Sequence, residues 1–156
     1  MMHGWLPTGH MRQVVTGTAQ CPGCPCKDET LHHLLVCPHE LMNKKRTELI
    51  EQLQQKGQKK KIPKCMMKAI CHLIMTESKR EKDYIKSIWE PDLKEVAKQQ
   101  IEIGVKMMVR GFIAKGWGIM ARRAGGKASG RCAANLLKLL WEEFMDPLWE
   151  QRNEIM

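Results

Sequence analysis

The chain has 156 residues, of which 43% are hydrophobic and 28% are charged, a balance typical of a folded chain, and the length excludes a full polymerase. Its formal net charge is +9, and residues 41–80 alone, with eleven Lys and Arg against three Glu, carry +8. A basic excess concentrated in one stretch favours a polyanionic partner such as nucleic acid.

The first 40 residues are predicted to form a small loop-rich unit. They hold four of the seven Pro, four of the seven Cys and five of the six His, with helical periodicity only near their end. Such a segment buries little apolar surface. Something other than a hydrophobic core is therefore expected to hold residues 1–40 together.

The spacing of four residues in this unit predicts a structural zinc site with the ligands Cys21, Cys24, His33 and Cys37. A tight turn through Pro22 and Gly23 brings two thiolates together, and His33 and Cys37, at i and i+4, supply the other two ligands from one helix face. Three thiolates and an imidazole complete the shell of Zn²⁺ and leave no position for a water nucleophile. Zinc binding then supplies the folding free energy that the unit lacks.

Three neighbouring residues are alternative ligands. His32 is next to His33, but at i and i+5 from Cys37 it points away on a regular helix, so His33 is preferred. Cys26 can replace Cys24 in a less tight turn, and His39 is a reserve ligand. The alternative to a metal site is a set of ordinary buried thiols.

Residues 41–156 are predicted to form an α-helical bundle. The first helix begins near Pro38, ends at Gly57 and carries basic residues opposite its apolar face, namely Lys44, Lys45 and Arg46. A basic linker over residues 56–64 follows and contains Lys59, Lys60, Lys61 and Lys64. Residues 63–76 read as an apolar helix that belongs in the middle of the bundle.

Further helices are predicted beyond residue 76. Ser78 and Glu81 have the spacing of a capping box, which predicts a helix that Pro91 stops. Residues 92–121 are rich in helix formers but contain glycines that make one unbroken helix unfavourable. A basic Gly-rich loop over residues 124–131 precedes a last helix, which Pro147 is predicted to kink or split. The predicted fold class is mainly α.

The cysteine run resembles a known family through Cys21, Cys24, Glu29-Thr30, His33 and Cys37-Pro38. These positions are similar to the zinc-binding region that follows the reverse transcriptase in non-LTR retrotransposon polyproteins. Other segments resemble the tails of such proteins, in part those of unicellular algal genomes: residues 5–9, 100–104, 140–141 and 148–153, with Gly111 and Trp117. The polymerase itself is absent, so the chain resembles a detached C-terminal segment.

The resemblance implies a non-catalytic nucleic-acid-binding role accessory to target-primed reverse transcription, with a reverse transcriptase polypeptide as a possible further partner. Two basic patches are candidate phosphate-binding surfaces: Lys44, Lys45, Arg46, Lys59, Lys60, Lys61 and Lys64, and then Arg122, Arg123, Lys127 and Arg131. Aromatic residues are scarce beside both patches, so binding is expected to follow the phosphate backbone of RNA or DNA. The alternative for both patches is a solvated surface.

Other functions find less support in the sequence. Gly125-Gly126-Lys127 lacks the first Gly and the Ser or Thr of a Walker A loop, and no catalytic constellation stands apart from the metal cluster, so no enzyme is expected. The alternative function is a protein-interaction or scaffold module that docks through Met- and Trp-rich helices. No apolar run approaches the roughly 20 residues of a membrane span, and no secretory signal is visible, so an intracellular protein, nuclear or cytoplasmic, is expected.

Overall fold

The computed structural model describes residues 18–124 and 131–155, and these residues form helices and loops without a β-strand. In chain order the helices are α1 (Leu31–Val36), α2 (Glu40–Lys59), α3 (Lys64–Ser78), α4 (Pro91–Ile103), α5 (Val105–Met108), α6 (Lys115–Arg123), α7 (Cys132–Leu140) and α8 (Asp146–Ile155). A π-helical turn, Trp141–Met145, joins α7 to α8. The predicted mainly α fold is confirmed.

Helices α2 and α3 pack against each other as a hairpin. Gly57, predicted to end the first helix, instead lies buried inside α2. A Cβ added at this position would lie 2.5 Å from Cγ of Met67 on α3. The close approach of the two helices therefore favours glycine, because any larger residue would force the Met67 side chain to move. Helix α2 continues to Lys59, so the first part of the predicted 56–64 linker is helical.

The helix predicted between Ser78 and Pro91 is wrong. Ser78 is the last residue of α3, and its hydroxyl donates to the carbonyl of Met75 at 2.8 Å. Arg80 then takes a left-handed φ of 56°, and the N–H of Glu81 donates to the carbonyl of Thr76, a C-terminal motif that stops α3. Residues 81–90 form a loop, and Pro91 occupies the first turn of α4, where its missing N–H is not needed.

Gln100 fixes the connection between α4 and α6. Its side-chain oxygen accepts from the N–H of Ala114 at 2.8 Å and from the indole N–H of Trp117 at 3.2 Å, and its amide donates to the carbonyl of Phe112 at 3.2 Å. Between the helices, Gly104 has a φ of 107°, which a side chain disfavours. The prediction that this region is not one unbroken helix is confirmed, although only Gly104 and Gly111 lie between helices and Gly116 and Gly118 lie inside α6.

Pro147 lies just after the π-helical turn. The N–H of Asp146 donates to the carbonyl of Trp141, five residues earlier, and this π-type bond widens the helix. The wider turn accommodates Pro147, which has no N–H to donate and whose ring would clash with the preceding turn of a regular α-helix. The predicted break therefore takes the form of a local widening, and the helix continues to Ile155.

One hydrophobic core includes residues from both predicted units. Cys21, Leu34 and Leu35 belong to the same buried cluster as Ile70 and Leu148. Helix α1 contacts α2, α3 and α8, which places the cysteine-rich loop against the bundle. None of the helices within the described ranges is long and apolar enough to cross a membrane.

Candidate metal centre and basic surfaces

The four predicted ligands come together in space. One donor atom from each of Cys21, Cys24, His33 and Cys37 lies within 4.8 Å of the others. The Sγ atoms of Cys21 and Cys37 are 3.9 Å apart, and Sγ of Cys24 is 3.3 Å from Nε2 of His33. Cys24 is half-buried and the other three are buried. This group can hold a metal ion.

A short loop positions the first two thiols. The N–H of Gly23 donates to Sγ of Cys21 at 3.4 Å, and the N–H of Cys21 donates to the carbonyl of Cys26 at 3.0 Å. A Cβ at Gly23 would lie 3.0 Å from Cδ2 of His39, so that imidazole packs closely on the turn. These contacts fix Cys21 and Cys24 relative to each other.

Helix α1 positions the other two ligands. Thr30 is its N-cap, and the Thr30 hydroxyl accepts from the N–H of His33 at 3.2 Å. Cys37 follows the last residue of the same helix. The N-cap at the start of α1 and the end of the helix before Cys37 therefore fix the positions of His33 and Cys37. Thr30, the N-cap, is one of the residues that carry the family resemblance.

The alternative ligands are engaged elsewhere or lie outside the group. Nε2 of His32 is 2.9 Å from Oε1 of Glu77, and Sγ of Cys26 donates to the carbonyl of Asp28 at 3.5 Å. His39 is the residue before α2. None of these three belongs to the group of four.

Burial controls the protonation of the cluster. It raises the pKa of the Cys21 thiol to about 12, with the neighbouring Cys37 and Cys24 thiols adding to the effect, and it raises the pKa of Cys37 as well. Burial lowers the pKa of His33, while the Glu29 carboxylate opposes that change. Crowded thiols beside a neutral imidazole favour a bound cation, which would supply the positive charge that thiolates need.

Arg46 lies at this centre and not on the basic face where it was predicted. It is 3% exposed, and its guanidinium donates to the carbonyls of Leu34 at 3.1 Å and Cys37 at 2.9 Å. These carbonyls belong to the end of α1, where backbone acceptors lack helical partners. Burial lowers the pKa of Arg46, and the nearby Cys37 raises it. The prediction that Arg46 contacts nucleic acid is therefore wrong.

Helix α8 reaches the same centre through a buried ion pair. Nε and Nη2 of Arg152 donate to the two carboxylate oxygens of Glu29 at 2.7 Å and 2.5 Å, and both side chains are at most 2% exposed. The guanidinium also lies 4.8 Å from the centre of the Trp149 ring. Glu29 and Arg152 line one small space together with Cys21 and Cys37.

The lysines of the first basic patch lie in two places, near the start of α2 and at the end of the α2–α3 hairpin. We define the lysine cluster as five exposed residues: Lys59, Lys60, Lys61, Lys64 and Lys68. The sequence contains no Asp or Glu between Glu51 and Glu77. Lys44 is exposed and Lys45 half-exposed nearer the start of α2.

The second basic patch is described only in part. Arg122 and Arg123 are exposed at the end of α6, and Nη1 of Arg123 lies 3.2 Å from Oδ2 of Asp92. Arg131 is exposed before α7, and Lys127 lies outside the described residues. Among the described residues of this patch, Arg123 is engaged in an exposed ion pair.

No protein-family model, curated protein or solved structure matches the chain. Its residues and their geometry are therefore the basis for a functional proposal.

Proposed function

We propose that the chain is a non-catalytic, zinc-dependent nucleic-acid-binding module. In this proposal a Cys₃His zinc centre fastens the N-terminal loop to the helical bundle, and the lysine cluster binds the phosphate backbone. The role corresponds to an accessory segment of a non-LTR retrotransposon reverse transcriptase. The observation that carries the proposal is a group of five exposed lysines in a stretch without acidic residues.

Zinc suits the four ligands. Zn–S and Zn–N bonds of ordinary length imply tetrahedron edges of about 3.5–3.8 Å. Two of the six edges, 3.9 Å and 3.3 Å, lie close to this range, and all six are at most 4.8 Å. Thiolate and imidazole ligands favour zinc over hard cations such as magnesium. With four protein ligands the ion has no open position, so its role is structural.

The start of α3 adds backbone donors to the lysine cluster. Its N-cap, Pro63, offers no side-chain hydrogen bond, and its first turn contains no acidic residue. The free N–H groups of a first turn and the positive end of the helix dipole both favour an anion. Lys64 and Lys68, at i and i+4, are exposed on the same face. A phosphate here meets side-chain cations and backbone donors together.

Backbone strain coincides with the same surface. Lys61 has a φ of 58°, a left-handed conformation that costs a residue with a Cβ about 1–2 kcal/mol. Glycine is the usual residue at such a helix end. A lysine at this position supports a functional need for its charge, because strained residues concentrate at functional sites.

Contacts among the residues that carry the family resemblance also support the proposal. Glu29 pairs with Arg152, although these belong to separate segments of the resemblance. Gln100 and Trp117 also come from separate parts of the resemblance, and the indole N–H of Trp117 donates a hydrogen bond to the side-chain oxygen of Gln100. The separate segments therefore contribute to one folded arrangement.

A protein-interaction module is less well supported. Among the described residues, five of the eight Met and two of the four Trp are at most 5% exposed: Met42, Met66, Met67, Met108, Met145, Trp117 and Trp141. These seven side chains are therefore not available to a docking partner.

Fluorescence anisotropy with labelled single- and double-stranded oligonucleotides of unrelated sequence tests the proposal. We expect the zinc-loaded chain to bind at low salt, with an affinity that falls steeply as salt rises. The triple variant Lys59→Gln, Lys60→Gln, Lys64→Gln should reduce the slope of log K against log salt by about 2–3, since each phosphate contact contributes about 0.7–0.9.

The matched control removes the same charge elsewhere, at three exposed lysines of α4, α5 and α6: Lys98→Gln, Lys106→Gln, Lys115→Gln. It should change the slope by less than about 1. Absence of binding at low salt would contradict the proposal. An equal loss in both triple variants would show that only net charge matters.

A further inference from the structure

A cleft of about 730 Å³ opens beside the metal centre. It lies where α1, the end of α3 and the 81–90 loop meet, and His33, one of the four ligands, forms part of its wall. Its volume is in the range of about 300–1,000 Å³ that small-molecule sites occupy. Neither the lysine cluster nor the metal ligation accounts for it.

A hydrogen-bonded group of three side chains builds one wall. The carboxylate of Glu77 accepts from the hydroxyl of Tyr84 at 2.5 Å and lies 2.9 Å from Nε2 of His32. Both oxygens of this 16%-exposed carboxylate are thus engaged by ring side chains from other segments. The phenol of Tyr84 and the imidazole of His32 are therefore held in place at the wall of the cleft.

The interior and the rim differ in chemistry. The less exposed part of the lining combines the apolar Val36 and Ile101 with the ring side chains of His32 and Tyr84 and the polar groups of Glu77, Thr30 and Cys26. The rim carries the exposed cations Arg80 and Lys82 and the exposed acids Asp28 and Glu81. The two acids of the rim disfavour a polyphosphate, which carries several negative charges. A ligand with one planar ring and one phosphate fits better, because the ring can contact the ring side chains of the lining and the phosphate can pair with a cation of the rim.

Arg80 is held on this rim by the backbone. Its φ of 56° makes it the second left-handed residue other than glycine in the described ranges, after Lys61. As at Lys61, a basic residue stands at a helix end where glycine is usual. The two residues flank α3: Lys61 belongs to the lysine cluster and Arg80 to the rim of the cleft.

We propose that this cleft receives one unpaired nucleobase of a bound strand, with an adjacent phosphate on Arg80 and Lys82. Single-stranded nucleic acids are commonly bound by ring side chains that contact the bases and cations that contact the backbone. The inference rests on the proposed function for the strand, but its site is separate. Lys68 of the lysine cluster and Glu77 of the cleft wall are nine positions apart on α3, about 14 Å along the helix.

Methyl NMR of the zinc-loaded full chain, titrated with adenosine 5′-monophosphate, tests the inference. We expect saturable shifts of the Val36 and Ile101 methyl signals with a millimolar Kd, roughly −4 kcal/mol. Ribose 5-phosphate, which lacks the base, should leave both methyl signals unmoved. The inference would be overturned if both methyl signals kept their chemical shifts at about 10 mM nucleotide, or if ribose 5-phosphate shifted them equally.

Two variants separate this site from the lysine cluster. Arg80→Gln, Lys82→Gln should raise the Kd for the mononucleotide at least about fivefold, because it removes the cations at the rim. Lys59→Gln, Lys60→Gln should leave that Kd within about twofold while weakening oligonucleotide binding. Oligonucleotide binding without methyl shifts would overturn the cleft alone, and methyl shifts without oligonucleotide binding would overturn the lysine cluster alone.

Discussion

The carboxylate of Glu29 and the guanidinium of Arg152, 123 positions apart in the chain, form a two-point ion pair that is almost completely buried. Glu29 belongs to the loop that carries Cys21 and Cys24, and Arg152 belongs to the last helix. The pair therefore joins α8 to the loop that carries two of the four candidate ligands, and the loop and the bundle are expected to unfold together.

Arg152→Ala should lower the free energy of unfolding by about 3–5 kcal/mol, because it leaves the Glu29 carboxylate buried without its partner. Urea denaturation measures this. The matched control is Arg123→Ala, which breaks the exposed pair with Asp92 and should cost at most about 1 kcal/mol. Replacing the buried pair by Glu29→Leu, Arg152→Met should recover most of the loss. Equal costs for both single variants would contradict this role of Arg152.

Gly57→Ala should destabilise the chain by about 1–3 kcal/mol, because the new methyl group would overlap the fully buried side chain of Met67. Gly118→Ala on α6 is the matched control, since nothing lies within 4 Å of its added Cβ. The control should stabilise the chain by about 0.5–1 kcal/mol through helix propensity. Thermal or urea unfolding distinguishes the two. A stabilising Gly57→Ala would show that α2 and α3 are farther apart than described.

Lys61→Gly should raise the free energy of unfolding by roughly 1 kcal/mol, because glycine adopts the left-handed φ without strain. The same change should weaken oligonucleotide binding, since it removes one cation of the lysine cluster. Lys60→Gly removes the same charge at a φ of −87°, where no strain is relieved, and should not stabilise. If Lys61→Gly stabilises the chain without weakening oligonucleotide binding, Lys61 has no part in that binding.

Local signals in the sequence were sufficient for the helical class and for the grouping of the four ligands. The turn between Cys21 and Cys24 and the helical spacing of His33 and Cys37 are short-range features, and short-range geometry is what spacing encodes. Pro147 was predicted to kink or split its helix; its missing N–H explains a disturbance there, but the form it takes, a π-helical turn in a helix that continues to Ile155, has no local signal.

The helical period of the sequence predicts the buried position of Arg46, whereas its charge alone suggests an exposed one. Met42, Arg46, Leu49 and Leu53 follow the i, i+4, i+7, i+11 period, so helical geometry places Arg46 on the apolar face of α2. Grouping it with Lys44 and Lys45 by charge ignored that period. The capping-box spacing of Ser78 and Glu81 misled in a similar way, because Ser78 bonds backward to Met75.

Other features had no local signal. The partners Glu29 and Arg152 are far apart in sequence, and so are His32 and Glu77. Gly57 read as a helix end because only the packing of Met67 from the next helix shows why α2 needs glycine there. Long-range contacts of this kind follow from how the helices pack.

Tyr84 gives a test by titration, because it is the chain's single tyrosine. Burial, together with the bond to Glu77 and the charge of that carboxylate, raises its pKa to about 12. The raised pKa favours the neutral phenol in the folded state. The contribution of Tyr84 to the free energy of unfolding is therefore complete below about pH 10 and is lost as the pH rises toward 12.

Absorbance at the phenolate band should therefore show ionisation near pH 12 in the folded chain and near pH 10 in denaturant. Glu77→Gln removes the charge and should lower the folded value. Ionisation near pH 10 in the folded chain would contradict the placement of Tyr84 in the wall of the cleft.

Native mass spectrometry of Cys24→Ser beside Cys26→Ser tests the proposed zinc centre most directly. Both cysteines are half-buried and two positions apart, but only Cys24 belongs to the group of four. We predict one zinc ion per chain in the unmodified protein and in Cys26→Ser, and loss of that ion in Cys24→Ser. A folded, metal-free unmodified chain would contradict the account, and so would zinc that is lost with Cys26 and retained without Cys24.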